Sequence, residues 1–209
     1  MSAATTGAGL VSMMHRIRAE IGGDHRYAHS VRVARFAEGL AFRHGEDPLK
    51  ARLAGLLHDL ARLYSAQRLL AECGARGMAI DDFEHANPIV LHARLGAELA
   101  REHYGVADEA ILSAIRKHTV AAADMSSLDV IVFLADGLEP GRSFAERETY
   151  ANLAQRDLGA AMRAVLGSTI AYLRGRRLEI APQTHAAAAS FGLPGASVSA
   201  SHLETLSLP

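Results

Sequence analysis

Six side chains able to ligate a metal, His29, His58, Asp59, His92, His118 and Asp136, lie far apart along the chain, and each falls on an apolar helical stretch. Imidazole nitrogen and carboxylate oxygen bind a borderline divalent cation at about 2.0–2.2 Å. Residues this distant in sequence can share an ion only if several helices converge on it. The fold this demands is an all-α bundle with polar groups gathered at its centre. Unpaired, those groups would each cost several kcal/mol of desolvation.

The helices are punctuated clearly. Asp24 is a candidate N-cap for a helix with the stripe His29, Val33, Phe36 and Leu40, which turns His29 inward and stops near Gly45. Asp47-Pro48 opens the next helix as N-cap and N1, with Leu49, Leu53, Leu56, Leu57 and Leu60 on its buried side and His58-Asp59 toward its end. Ser65 caps a shorter helix ending at Gly74, and a loop is expected from Gly77 to Glu84. Asn87-Pro88 repeats the cap-then-proline device ahead of His92, Gly96 and Leu99. Asp108 caps a helix with Ile111, Ile115 and His118 on one face. Ser126 or Ser127 caps another, with Leu128, Val132 and Asp136 aligned. Glu139-Pro140-Gly141 breaks that helix, and one covering helix is expected from about Asn152 to Arg174, carrying Leu158, Met162, Val165, Thr169 and Leu173. No strand alternation or internal repeat is visible.

A chain of 209 residues is most simply one domain. Residues 1–14 read as an N-terminal tail, 15–184 as the domain, and 185–209 as an Ala/Ser/Gly-rich tail expected to be disordered. A net charge of −1 and a pI near 6.8 argue against nucleic acid or an anionic membrane surface as the main partner. The longest apolar run near the middle, Val130 to Ala135, falls well short of the ~18 residues of a membrane helix. The N-terminus lacks a signal-peptide pattern and Cys73 is a lone cysteine, so a cytoplasmic location is expected. A homodimer is left open. Walker, dinucleotide-binding and nucleophile-elbow motifs are absent from the sequence.

The order H…HD…H…H…D resembles the HD-domain superfamily of metal-dependent phosphohydrolases. The segments HRYAH (25–29), HDLAR (58–62), NPIVLH (87–92), AIRKHT (114–119) and ADGLEPGR (135–142) are similar to its YqeK-type branch. That resemblance implies symmetrical hydrolysis of diadenosine tetraphosphate to two ADP by metal-activated water. It implies that His29, His58, Asp59 and Asp136 hold the principal metal, commonly iron, with manganese or cobalt as substitutes, and that Asp59 is suited to bridge a second ion. His92 and His118 would ligate that second ion, or contact phosphate and the attacking water; with Asp59 they form the catalytic set. His25 matches a position near the substrate phosphates, Arg62 and Arg142 match positions suited to clamping a polyanion, and Glu179, Ile180 and Thr184 fall where the nucleoside pocket is expected. Arg26 and Lys117 read as solvated surface cations.

Two departures stand out. The branch's HPxTLxARN-like segment is here APQTHAAAA (181–189), which leaves adenine preference less secure than phosphate hydrolysis, and Asp129 stands where a basic residue is frequent. Two other functions stay open at this point: a different nucleotide phosphohydrolase of the superfamily, acting on a mononucleotide, an alarmone or a nucleoside triphosphate, and a sensor that binds metal or nucleotide without turnover.

Overall fold

A computed structural model describes residues 7–21 and 23–193. Eleven helices and no strand occur among the described residues: α1 Gly7–Ile21, α2 Asp24–His44, α3 Pro48–Leu57, α4 Ala66–Ala75, α5 Asp82–Ala86, α6 Leu91–Tyr104, α7 Glu109–Lys117, α8 Ser127–Leu138, α9 Arg147–Ala154, α10 Leu158–Gly175 and α11 Pro182–Ser190. None of these is long and apolar enough to cross a membrane.

Helices α2, α3, α6, α7 and α8 pack together as the central bundle. α8 is its most apolar member, burying every residue from Leu128 to Ala135 and again Leu138, so it is surrounded rather than laid on a surface. The α2–α3 hairpin turns at Gly45, which takes the left-handed conformation (φ 73°) that ends α2. Further along, a Cβ on Gly55 would lie 2.9 Å from Ala34 Cα, so only glycine allows these two backbones to approach this closely. α9 and α10 cover α8, α11 folds back on α10, and α4 flanks α6.

Caps expected at Asp47, Ser65 and Asp108 are present: Asp47 accepts from Leu49 N and Lys50 N, Ser65 from Arg68 N, and Asp108 from Ala110 N. Ser126 caps α8, and Asp129 completes a reciprocal capping box. Buried Asp129 also pairs with Lys117 at 3.1 Å, which accounts for an acid at that position.

Other details differ. The N-cap of α2 is Gly23, and Asp24 is its first helical residue. Leu49 is 55 % exposed, because α3 presents its small residues Ala51, Ala54 and Gly55 to the core. His58 and Asp59 lie just past the end of α3, which stops at Leu57. The loop expected at 77–84 contains the start of α5, capped by an Asp81–Glu84 box. Asn87 caps nothing through its side chain; its amide donates to Phe83 O, and a 3-10 turn, Pro88–Val90, separates it from α6.

The expected covering helix is two helices, split where Asp157 caps α10 by accepting from Ala160 N. The fully covered side of α10 is Met162, Leu166 and Ile170, leaving Thr169 exposed. The tail boundaries also move. α1 begins at Gly7, inside the presumed tail. α11 carries order through Ser190, contrary to the disorder expected from residue 185: Ala187 and Ala188 are fully buried, since alanine is a strong helix former and small enough to lie close against α10. The rest of the expected tail, 194–209, lies outside the described residues.

Candidate metal centre

The six ligand-type residues meet in one place. His29 comes from the second turn of α2, His58 and Asp59 from just past the end of α3, His92 from the start of α6, His118 from the C-cap of α7, and Asp136 from the last turn of α8. Three groupings have ligand atoms mutually within 4.8 Å: His29, His58 and Asp59; His58, His118 and Asp136; and Asp59, His92 and His118. Asp59 faces two ways. Its Oδ2 lies 3.5 Å from His58 Nε2 and 4.0 Å from His29 Nε2, while its Oδ1 lies 3.3 Å from His92 Nε2 and 3.8 Å from His118 Nε2. Asp136 Oδ1 is 3.0 Å from His29 Nε2 and 3.7 Å from His58 Nε2.

Helix ends explain why the rings point inward. His58 Nδ1 donates to Gly55 O at 2.8 Å, His118 Nδ1 to Ile115 O at 2.7 Å, and His92 Nδ1 to Ile89 O. Each acceptor is the carbonyl three residues earlier. At the ends of α3 and α7 these carbonyls are not consumed by a continuing helical ladder, while Ile89 O belongs to the 3-10 turn before α6, where Leu91 N also points at it. A ring that donates through Nδ1 keeps the Nε2 lone pair free for a metal. His29, inside a helix, has no such carbonyl; its Nδ1 lies 3.0 Å from Glu139 Oε1.

All these residues are buried except Asp136, which is partly accessible. Burial alone would depress the His58 imidazole, but Asp59 and then Asp136 lift it to about 9. Burial and the neighbouring His58 and His92 push His118 down to about 3. Against the opposing effect of burial, Asp59 is held far below the usual carboxylate range, chiefly by His58, and Asp136 is lowered by its hydrogen bond to His29 and by His58. The two carboxylates therefore stay ionised and keep a proton on His58, a positive charge that a bound cation would replace. His58 Nε2 is buried without a hydrogen-bond partner, an arrangement rare in folded proteins and expected of a ligand atom. The residues fit a divalent cation in donor type, convergence and unpaired valence.

A cleft of about 290 Å³ opens onto the centre, its wall including Arg26, Arg62, Thr119 and Arg142. Arg26 Nη1 reaches Asp59 Oδ2 at 3.0 Å; Arg142 donates to Asp136 O at 2.8 Å and to Asp136 Oδ1. Thr119 Oγ1 sits 3.2 Å from His92 Nε2 and 3.0 Å from His118 Nε2. Beyond it the chain turns at Ala121, whose φ of 62° is a conformation uncommon outside glycine.

Of the residues singled out in the sequence, the six candidate ligands, Arg62 and Arg142 converge here. His25 is exposed on the first turn of α2 and does not line this cleft. Neither do Glu179, Ile180 or Thr184: Ile180 packs on Ile170 and Ala188, and the Thr184 hydroxyl donates to Val120 O at 2.8 Å, next to Thr119. Arg26, read as a surface cation, is part of the wall, as is Thr119. The carboxylate of Glu139, read only as part of a helix stop, touches His29.

A family model described as HD domain matches residues 26–141, and the chain belongs to the HD-domain family. Among curated proteins, it is 34 % identical over 161 residues to the symmetrical bis(5'-nucleosyl)-tetraphosphatase of Bacillus subtilis, covering 77 % of this chain and 86 % of that one. The enzyme of the same name from Halalkalibacterium halodurans is 36 % identical over the same shares. Among solved structures, a predicted HD superfamily hydrolase involved in NAD metabolism from Clostridium acetobutylicum superposes with a TM-score of 0.84 at 31 % identity, covering 87 % of this chain and 96 % of that one.

Proposed function

We propose that this chain is a metal-dependent hydrolase that cleaves diadenosine tetraphosphate symmetrically, adding water across the central phosphoanhydride to release two ADP. The observation that carries the reading is Asp59, whose two oxygens face separate sets of ligands beneath a wall of arginines. Relatives aligned over most of their length bear the name of that activity.

In this reading His29, His58, Asp59 and Asp136 hold the principal ion, with iron the first candidate and manganese or cobalt as substitutes. His92, His118 and the second oxygen of Asp59 form a further ligand set. A divalent cation held there lowers the pKa of a water toward neutrality and offsets phosphoryl charge. Arg62, Arg142 and Arg26 bind non-bridging phosphate oxygens, which orients the central anhydride and excludes other geometries. His92 and His118 lie where they can hold the attacking water or pass its proton, each ring fixed by its backbone carbonyl. A cleft of about 290 Å³ suits phosphates rather than two nucleosides. The nucleoside ends therefore extend past it, one toward the 179–184 segment that Thr184 ties to Val120.

The test is anaerobic purification with elemental analysis, followed by chromatography of the products from diadenosine tetraphosphate. ADP as sole nucleotide product from metal-loaded protein is expected. ATP plus AMP, or phosphate released preferentially from a mononucleotide, overturns the assignment, and binding of ADP without turnover in metal-replete protein points to a sensor.

A further inference from the structure

We infer that Glu139 is a positioning residue for the metal centre: held by Arg32, it fixes His29 in the tautomer that presents Nε2 to the ion. This rests on reading the cluster as a metal site, not on the identity of the substrate. Three of the four inward histidines are oriented by a carbonyl of their own helix end or turn, and that device is not available to His29, whose neighbouring carbonyls belong to the continuing ladder of α2. A carboxylate at the far end of α8 takes over the role, with Oε1 3.0 Å from His29 Nδ1.

The carboxylate is itself immobilised. Glu139 is 1 % exposed, and Arg32 grips it with two bonds, Nε to Oε2 at 2.6 Å and Nη2 to Oε1 at 3.0 Å. Gly141 N donates to Oε2 as well. A side chain at 141 would collide with this arrangement, since a Cβ there would lie 2.5 Å from Arg32 Nε and Nη2. Every donor around Glu139 therefore points at an oxygen. With both Glu139 oxygens acting as acceptors, His29 must donate from Nδ1, so Nε2, hydrogen-bonded to Asp136 Oδ1 at 3.0 Å, is the nitrogen left to exchange its proton for an ion. Outer carboxylate partners of this kind orient metal-ligating histidines and strengthen them as donors.

The arrangement makes an unusual prediction for the isosteric variant. In Glu139→Gln, an amide oxygen is best placed where Oε2 now meets Arg32 Nε and Gly141 N. That puts the NH2 group against His29 Nδ1, where it donates rather than accepts and favours the tautomer protonated on Nε2. Zinc affinity, measured by competition with a chromogenic chelator, is expected to fall about 10- to 100-fold in Glu139→Gln, at least as far as in Glu139→Ala. A space-filling role alone gives the opposite order, with Glu139→Gln close to wild type, and that order overturns the inference. Should the variants fail to fold, long-range 1H–15N correlation on zinc-loaded wild-type protein decides the matter: a His29 ring protonated on Nδ1 and bound through Nε2 supports it, and the reverse refutes it. Wild-type protein that takes up no zinc would instead sink the metal-site reading beneath it.

Discussion

Around the metal centre, His29, His58, Asp59, His92 and His118 lie buried within a few ångströms of one another, whereas the cover built by α9, α10 and α11 buries mainly Ala, Met, Leu and Ile. The contrast separates two sources of order. Burying ionisable groups opposes folding by several kcal/mol per unpaired charge, and the groups here offset that cost by setting acid against imidazole, Asp136 Oδ1 at 3.0 Å and Asp59 Oδ2 at 4.0 Å from His29 Nε2. The cover does the reverse: Met162, Leu166 and Ile170 contribute apolar burial, each about 1.5–3 kcal/mol, and hold α8, which carries Asp136. Stability supplied at one end lets the other remain electrostatically tense.

The sharpest way to break this division is at the centre itself. His58→Ala or Asp59→Ala is expected to abolish metal loading and to lower kcat about 1,000-fold or more, the scale of losing a preorganised electrostatic stabiliser, while circular dichroism still reports a folded bundle. Activity retained in a metal-verified sample would contradict the ligand assignment. At the opposite end, Leu166→Ala should cost about 2–5 kcal/mol in denaturant unfolding and leave the metal stoichiometry of the folded protein unchanged. A folded variant that no longer binds metal would show the two regions to be one cooperative unit.

Gly55 belongs to both regions, because its missing Cβ lets α3 meet Ala34 and its carbonyl orients His58. Gly55→Ala is therefore expected to destabilise by about 1–3 kcal/mol and also to weaken metal binding, measured by melting with and without the ion. Arg62→Ala sharpens the comparison on the substrate side. Losing one charge-assisted phosphate contact should raise KM about tenfold with metal content intact, and an unchanged KM would remove Arg62 from the clamp.

The smallest effect lies far from both regions. Arg76 bridges Glu72 at 2.6 Å and Glu102 at 2.7 Å, and its hydrogen bonds lower both carboxylate pKa values on folding. Lowered folded-state values mean a contribution present above the ordinary glutamate range and lost as pH falls through the depressed values. At an exposed site it amounts to no more than about 1 kcal/mol. Arg76→Ala should flatten that acid limb of the stability profile slightly; a larger change would show that the surface network supports the core.

Legibility followed the range of the interaction. Asp47-Pro48, Ser65, Asp108 and Ser126 announce helix starts because a cap is satisfied within three residues. The inward face of each histidine was readable from helical spacing for the same reason. Asn87 misled because the same side chain can end one helix instead of starting another, and its amide bonds back to Phe83. α11 was hidden because a run of alanines carries little apolar signal, yet buries well where a neighbouring helix lies close. The departure at Asp129 became intelligible only once its partners Ser126 and Lys117 were in view.

What the chain's order of residues determined by itself is the inventory: all-helical segments, their caps, and six donors of the right chemistry placed on apolar faces. Tertiary structure alone decided the wiring, namely that the two oxygens of Asp59 divide between two sets of imidazoles and that Glu139 reaches His29 across 110 positions. The reason is physical. Periodicity and capping act over a helical turn, whereas a hydrogen bond between distant helices depends on where they cross. That crossing follows from packing at places such as Gly55 and Gly141, where the lack of one carbon admits a neighbour.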